Sequence, residues 1–246
     1  MKKPIKITLI SLAAIIGIIV IAGGSFFFFL RHELKTLNPI PTGNIVDGVF
    51  AVGDDGVNMY LIQSDSGYIA IDAGQSSDAM MAGIEKLAID PANIRTILLT
   101  HTDYDHIATI PKLPQATVYI SDAEEQLING KIRRSPFFQN QLTCPYQLVA
   151  DNQELLIDGV SIKCLLTPGH TVGSTCYLVN GKYLFVGDTM GLQNDKAVPF
   201  IKLFNMDSNQ AKESMKKIAG VTGAQYVFTG HHGYTDNPHQ AFAGVQ

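Results

Sequence analysis

The sequence predicts a single α/β (α+β) domain preceded by one apolar N-terminal helix. The first 30 or so of its 246 residues differ in composition from the rest, and about 200 residues remain, enough for one domain with a sizeable core. From residue 44 onward, short β-rich runs alternate with turns and with amphipathic segments, a pattern typical of layered sheets and helices. A hydrophobic content of 46% and a charged content of 16% exclude a disordered chain.

The N-terminal segment predicts a membrane anchor. Residues 7–30 contain no charged side chain, and they exceed the roughly 20 apolar residues that a helix needs to cross a bilayer. They are also longer than the apolar region of about 7–15 residues in a cleaved signal peptide. We therefore expect an uncleaved transmembrane helix at 7–30 behind a cytoplasmic N-terminus at 1–6. A cleaved signal sequence and a buried core helix are the alternatives.

The basic residues near this segment predict its orientation. They are more numerous before the span than after it, with Lys2, Lys3 and Lys6 against Arg31 and Lys35. Because basic residues stay on the cytoplasmic side, we expect a single-pass protein of the cell membrane. Residues 31–43 would form a short linker, and residues 44–246 an extracytoplasmic domain.

Charge and cysteine content exclude two further classes. The net charge is −4 and the basic residues are scattered, so no surface for nucleic acid is expected. Cys144, Cys164 and Cys176 form no CxxC pair, and the last two lie in strand-like runs. We expect small buried thiols there, not a disulfide framework.

Alternating apolar runs predict the strands. The candidates are residues 49–53, 58–64, 67–73, 96–101, 117–121, 160–166, 174–179, 182–188 and 225–231. Asp65-Ser66-Gly67 and Asn180-Gly181 are typical of hairpin turns.

Two segments have helical periodicity. Residues 77–89 place an apolar face before Asp90-Pro91, formed by Met80, Met81, Ile84, Leu87 and Ala88. Residues 208–219 follow Asp207, a helix-capping residue, and would bury Ala211, Met215 and Ile218.

The stretch from Leu98 to His106 contains the highest density of potential metal ligands in the sequence. An apolar strand runs directly into four potential metal ligands, which are His101, Asp103, Asp105 and His106. Such side chains belong in the loop beyond a buried strand, where the backbone can turn them inward. Imidazole and carboxylate together suit zinc, manganese or iron. A polar loop that only caps the following segment is the alternative.

Three more strand ends repeat this pattern. His170 follows the strand at 160–166, Asp188 follows the apolar run at 182–187, and the pair His231-His232 follows the strand near the C-terminus. One histidine after a glycine is usually an ordinary loop residue. Four strand ends with such groups in one domain predict a metal site.

The order of these motifs resembles the metallo-β-lactamase superfamily. HTDYDH, TPGHT, GDT and GHHG occur in the family's order over residues 44–246, and Asn58 and Asp72 match framework positions. The resemblance implies a four-layer αβ/βα metallo-β-lactamase sandwich, in which two sheets face each other and the metals lie at one edge between them.

The resemblance also implies a set of ligands for two zinc ions, with iron or manganese as alternatives. The first metal would be held by His101, Asp103 and His170. The second would be held by Asp105, His106 and His231, and Asp188 would bridge both. His232 is the alternative to His231.

Asp103 departs from the family pattern, because most members have histidine at this position. Three outcomes are open. Asp103 is a ligand and gives a more anionic first site, as in the iron-binding flavodiiron branch, which has an acid there; it turns away and leaves that site weak; or the domain has lost its metals. We expect the first outcome.

The implied activity is that of a metal-dependent hydrolase. A hydroxide bridging the metals would attack a small-molecule ester, thioester, lactone or amide, and Asp105 would orient it and carry its proton. A non-catalytic, membrane-tethered binding or sensor domain with a degraded site is the alternative. The loops at 122–146 and 189–206, which would form the pocket, carry no motif that indicates a substrate. Residues 132–138, with Arg133 and Arg134, are interpreted as a solvated helix end, and a lid with an anion-binding pair is the alternative.

Overall fold

The computed structural model describes residues 4–54, 56–134 and 139–245, with side chains from Ala14 onward. Residues 135–138 of the predicted segment 132–138 therefore lie outside the described residues. The chain divides into two compact units, one reaching to Leu37 and one beginning at Asn38.

The first unit is a single long helix, α1 (Pro4–Leu34). Its part Ala14–Leu34, 21 residues, is long and apolar enough to cross a membrane. Signal sequences share this property, so the helix is consistent with either an anchor or a signal sequence.

The described part of the second unit forms fifteen strands and five helices. The strands are β1 (Gly43–Val46), β2 (Val49–Gly53), β3 (Asn58–Gln63), β4 (Tyr68–Ile71), β5 (Ile94–Leu98), β6 (Thr117–Ser121), β7 (Tyr146–Val149), β8 (Glu154–Ile157), β9 (Val160–Leu166), β10 (Thr175–Val179), β11 (Tyr183–Gly187), β12 (Met190–Gln193), β13 (Lys196–Pro199), β14 (Tyr226–Thr229) and β15 (Tyr234–Thr235). The helices are α2 (Ser77–Lys86), α3 (Tyr104–Ile107), α4 (Glu125–Ile128), α5 (Ser208–Ala219) and α6 (Pro238–Phe242).

The strands form two large sheets and a small hairpin. Strands β1 to β7 lie in sequence order in a seven-stranded sheet, antiparallel up to β4 and parallel from β4 to β7. The second sheet has the order β15-β14-β11-β10-β9-β8, and β12 pairs with β13 separately. In the second sheet β11 and β14 are parallel, so both end at the same edge.

The two sheets face each other across one core. Alternate residues of each strand point into it, including Tyr60 and Ile69 from the first sheet and Tyr177, Phe185 and Phe228 from the second. Burying each such side chain contributes about 1.5–3 kcal/mol.

The outer faces of the sheets are covered by helices. Met80 and Ile84 of α2 pack on the first sheet, and Ile218 of α5 and Ala241 of α6 pack on the second. This arrangement confirms the predicted four-layer αβ/βα sandwich.

Of the two predicted helices, α5 begins at the predicted residue, whereas α2 ends before the predicted one. Asp207 caps α5, since its carboxylate accepts hydrogen bonds from the backbone N–H groups of Asn209 and Gln210 at 2.9 and 3.0 Å. The predicted helix at 77–89 ends earlier, at Lys86. Ala88 has a φ of +54° and is exposed, so its assignment to the apolar face was wrong. The left-handed turn at Ala88 brings Ile89 into the core instead.

The hairpin turn and the thiols match expectation. Asn180 and Gly181 have φ values of +51° and +64°, which a two-residue turn between β10 and β11 requires. All three cysteines are free, and Cys164 and Cys176 are buried. Burial raises the pKa of Cys164 to about 12 and that of Cys176 to about 11, so both thiols are inert.

Candidate metal centre

The predicted ligands meet at one edge of the two sheets. The loop after β5 carries His101 and Asp103, and α3, which begins at Tyr104, carries Asp105 and His106. Asp103 precedes α3 with extended backbone angles, yet its side chain makes no capping hydrogen bond. The carboxylate is therefore free to face the other strand ends.

His101, Asp103 and His170 form a cluster that we call the first group. Asp103 Oδ2 lies 3.6 Å from His101 Nε2 and 3.2 Å from His170 Nε2. One ligand atom from each residue lies within 4.8 Å of those of the other two. Asp103 therefore points toward the two imidazoles and does not turn away from them.

Asp105, His106 and His231 form the second group. Asp105 Oδ2 lies 3.8 Å from His106 Nε2 and 3.5 Å from His231 Nε2. The two Nε2 atoms are 3.3 Å apart. These distances suit three atoms that surround one small cation.

Asp188 lies between the two groups. Its Oδ2 atom is 3.5 Å from His170 Nε2 and 3.2 Å from His231 Nε2, and its Oδ1 atom is 3.6 Å from His106 Nε2. A Cβ on Gly230 would lie 2.6 Å from Asp188 Oδ1, so only glycine lets the end of β14 come this close. One carboxylate thus faces imidazoles of both groups.

Two buried atoms of this cluster have no hydrogen-bond partner among the described residues, namely His101 Nε2 and Asp188 Oδ1. Buried polar atoms without a partner are rare in folded proteins, and a bound ion often accounts for them. Imidazole nitrogens and carboxylate oxygens are the donors that zinc prefers. The residues present therefore fit a metal.

The electrostatic environment keeps two of the donor residues, His101 and Asp188, in the form that a metal needs. Burial lowers the pKa of His101, and His106 and His170 lower it further, so this imidazole is neutral. Burial raises the pKa of the Asp188 carboxyl, but the neighbouring His231 and His106 outweigh burial and hold it well below its usual value. Metal ligands must be deprotonated, so both shifts favour a bound cation. For His106 and His231, burial lowers the pKa, but nearby carboxylates outweigh burial and raise it, so a metal must displace a proton from each.

All four imidazoles present Nε2 to the cluster because an oxygen faces each Nδ1. These oxygens belong to Thr100 for His101, Asp72 for His106, Asn205 for His170 and Gly56 for His231. Such outer partners fix the orientation of a ligand histidine.

His232 lies beside the cluster but outside both groups of described residues. Its ring packs edge-on against Phe200, with centroids 6.1 Å apart. Burial, together with the nearby His231, lowers the pKa of His232 to about 4. Of the two histidines, the geometry therefore favours His231 as the ligand.

Glu124 is a supporting residue that sequence reasoning missed. It is fully buried and accepts hydrogen bonds from Thr102 N at 2.7 Å, from Thr171 Oγ1 at 2.6 Å and from Gly173 N at 3.2 Å. It thereby ties the loop that carries Asp103 to the loop that carries His170. The only signal in the sequence is its place just after β6, another strand that ends at this edge.

Arg134 was named from the sequence, but its contact with the site was missed. Its Nη2 atom lies 2.9 Å from Asp103 Oδ2, so interpreting this arginine as part of a solvated helix end was wrong. The described part of that segment contains no helix, and Arg133 beside it is exposed. A cavity of about 450 Å³ lies here, lined among others by Asp103, Tyr104, Arg134 and Asn140.

Comparison with known proteins agrees with the fold. A family model described as the metallo-beta-lactamase superfamily matches residues 52–231. A probable polyketide biosynthesis zinc-dependent hydrolase, BaeB of Bacillus velezensis, is 32% identical over 133 residues, 52% of each chain. The beta-lactamase-like protein 2 homolog of Drosophila melanogaster is 30% identical over 189 residues, 74% of this chain and 61% of that protein. The matches thus span less than two thirds of these relatives.

Solved structures share the architecture. A B3 metallo-beta-lactamase with an active-site glutamic acid superposes with a TM-score of 0.67 at 22% identity, covering 87% of this chain and 90% of that one. The HARLDQ-motif metallo-beta-lactamase of Cronobacter sakazakii gives a TM-score of 0.63 at 24% identity over 80% of each chain. At these identities the likeness concerns the fold alone. With the family match over residues 52–231, the chain belongs to the metallo-β-lactamase superfamily.

Proposed function

We propose that the chain is a metal-dependent hydrolase whose centre holds two zinc ions. The observation that carries this proposal is the position of Asp188, whose carboxylate faces imidazoles of both groups. A carboxylate in this position can contact two adjacent metals through its two oxygens. Iron or manganese would also accept these nitrogen and oxygen donors.

Each ligand has a proposed place. His101, Asp103 and His170 would hold one metal, Asp105, His106 and His231 the other, and Asp188 would contact both. Bound zinc would supply a Lewis acid and lower the pKa of a water molecule toward neutrality.

Asp105 is the proposed catalytic residue. Its side chain is 35% exposed, against 4% for Asp188 and 0% for His106. Asp105 can therefore reach both the buried cluster and an incoming substrate. Its carboxylate would orient the attacking water and take up its proton.

The proposed substrates are small-molecule esters, thioesters, lactones or amides. Phe200 forms an aromatic wall over the cluster, with its ring centroid 5.2 Å from that of His170 and 5.4 Å from that of His231. Such a wall suits a compact organic acyl group. Relatives named as atrochrysone carboxyl ACP thioesterases, 24% and 28% identical, make a thioester one of the first compounds to try.

A substrate panel tests the proposal. The zinc-loaded full-length chain in detergent would be assayed with chromogenic esters, thioesters, lactones, β-lactams and phosphodiesters, beside an Asp105→Asn variant. We expect turnover of at least one acyl compound and a loss of at least about 100-fold in the variant. Turnover of phosphodiesters alone, or equal rates for both proteins, would contradict it.

We also propose that α1 anchors the chain in the cell membrane and that the domain lies outside the cytoplasm. The apolar stretch Ala14–Leu34 and the excess of lysines before it support this placement. Protease added to intact cells should digest the domain. A domain that is protected until the cells are lysed would contradict the orientation.

A further inference from the structure

A cation, the guanidinium of Arg134, already lies against the first group. Its Nη2 atom lies 2.9 Å from Asp103 Oδ2 and 3.2 Å from His170 Nε2. These are the same two atoms that the proposed metal of this group would have to use. The guanidinium therefore lies where it competes with a metal for its ligands.

The position of Arg134 is fixed by backbone groups. Nη1 donates to the carbonyl oxygen of His170 at 2.7 Å, and Nη2 donates to that of Phe204 at 2.5 Å. Only 19% of the side chain is exposed. Two loops thus hold the planar guanidinium at the cluster, which a flexible ammonium group could not match.

Asp103 is also held from its other side. Asn140 Nδ2 donates to Asp103 Oδ1 at 3.1 Å, so Oδ2 is the oxygen left for the cluster. Hydrogen bonds on both oxygens restrain this carboxylate. The arginine and the expected metal must therefore share the single atom Oδ2.

No arginine or lysine of the described residues forms a comparable contact with the second group. Among the described residues, the ion pairs of Asp105 and Asp188 involve histidines only. The two groups thus differ by one fixed positive charge. Like charges a few ångströms apart in a partly buried site repel strongly.

We infer that Arg134 is a positioning residue that makes the first group the weaker metal site. The inference rests on the proposed two-metal centre. The metal that binds at the lower concentration would enter the second group. A metal would enter the first group only at a higher concentration, since it must share Oδ2 with the guanidinium or displace it. Arg134 also compensates for the extra negative charge that Asp103 brings in place of the usual histidine.

Zinc binding to the metal-free, full-length chain tests this inference, measured by competition with a chelator of known affinity. Wild type should show two dissociation constants at least about tenfold apart. Arg134→Gln should lower the larger dissociation constant, that of the first group, by about tenfold. The smaller dissociation constant should stay within about twofold of wild type. Arg133→Gln is the matched control, because it removes the same charge from the exposed neighbour, and both constants should stay within about twofold. His170→Ala should abolish the weaker event alone.

Three results would overturn the inference. They are equal dissociation constants in wild type, equal effects of Arg134→Gln and Arg133→Gln, and loss of the tighter event in His170→Ala. If circular dichroism shows that Arg134→Gln does not fold, Arg134→Lys replaces it. The larger dissociation constant should then still fall by about threefold, because a lysine cannot bond both carbonyls. An unchanged dissociation constant in Arg134→Lys would contradict the inference. A chain that binds no zinc would refute the proposed function as well, whereas two equal sites would refute only the role of Arg134.

Discussion

His106 Nδ1 donates a hydrogen bond of 2.8 Å to the carboxylate of Asp72, and both side chains are buried. Asp72 also accepts from the N–H and the hydroxyl of Thr100. It lies just after β4 with a φ of +60°, a left-handed conformation that aspartate tolerates better than most residues. This contact fixes the tautomer of His106 and leaves Nε2 for the second group.

We expect Asp72→Asn to weaken metal binding at the second group by about 10–100-fold. The NH₂ group of the asparagine must face either the N–H of Thr100 or Nδ1 of His106. In the second case the imidazole carries its proton on Nε2 and cannot bind a metal. Chelator competition would measure the loss, and Asp236→Asn, at an exposed position, is the control. Equal affinities in the two variants would show that Asp72 has no such role.

The Glu124 contacts predict a loss of stability in Glu124→Gln. Both carboxylate oxygens accept backbone N–H groups, one from Thr102 and one from Gly173, so a glutamine must turn its NH₂ group toward one of them. We expect the free energy of unfolding to fall by about 1–3 kcal/mol. Thermal unfolding monitored by circular dichroism measures this effect.

The control for this change is Glu154→Gln, since Glu154 is an exposed residue of β8. Its free energy of unfolding should stay within about 0.5 kcal/mol of wild type. Equal melting temperatures for Glu124→Gln and wild type would mean that Glu124 does not hold the two loops together.

The strands were the most predictable part of the molecule, although six of the nine predicted runs differ from the observed strands by one to three residues at one or both ends. β2, β6 and β9 have the predicted bounds, because a short apolar run between turn residues marks where a buried strand begins and ends. The apolar runs that end near His170 and Asp188 indicated the site for the same reason. Convergence at one edge then follows from the parallel strands.

Several strands and the roles of two residues of the site could not be predicted from the sequence. β1, β7 and β8 are short and half-exposed, so burial does not impose a clear alternation on them. β12 and β13 pair only with each other. Arg134 acts through contacts with residues 31 or more positions away in the chain, and local periodicity carries no information about such contacts. Glu124 was missed because buried carboxylates look like surface ones in sequence.

The two adjacent histidines should behave differently. His231→Ala should remove the metal of the second group, since Nε2 of His231 lies 3.3 Å from that of His106. His232→Ala should keep the wild-type zinc content, because His232 lies outside both groups. Elemental analysis after dialysis gives the zinc per chain. Zinc loss in His232→Ala with retention in His231→Ala would reverse the assignment.

The anchor proposal predicts behaviour in membranes. The full chain should stay in the membrane fraction after alkaline carbonate extraction. Changing Ile18 and Ile19 of α1 to lysine should release it, since each charge costs about 2.5–3.5 kcal/mol at the centre of a membrane helix. Wild-type protein recovered outside the membrane as a shortened chain would mean that the helix is a cleaved signal sequence.

Anomalous diffraction at the zinc edge, from crystals of zinc-loaded protein, tests the account most directly. It should show two peaks, one among His101, Asp103 and His170 and one among Asp105, His106 and His231, with Asp188 in contact with both. An edge scan that confirms bound zinc, together with no peak inside this cluster, would contradict the proposed metal centre and the hydrolase that depends on it.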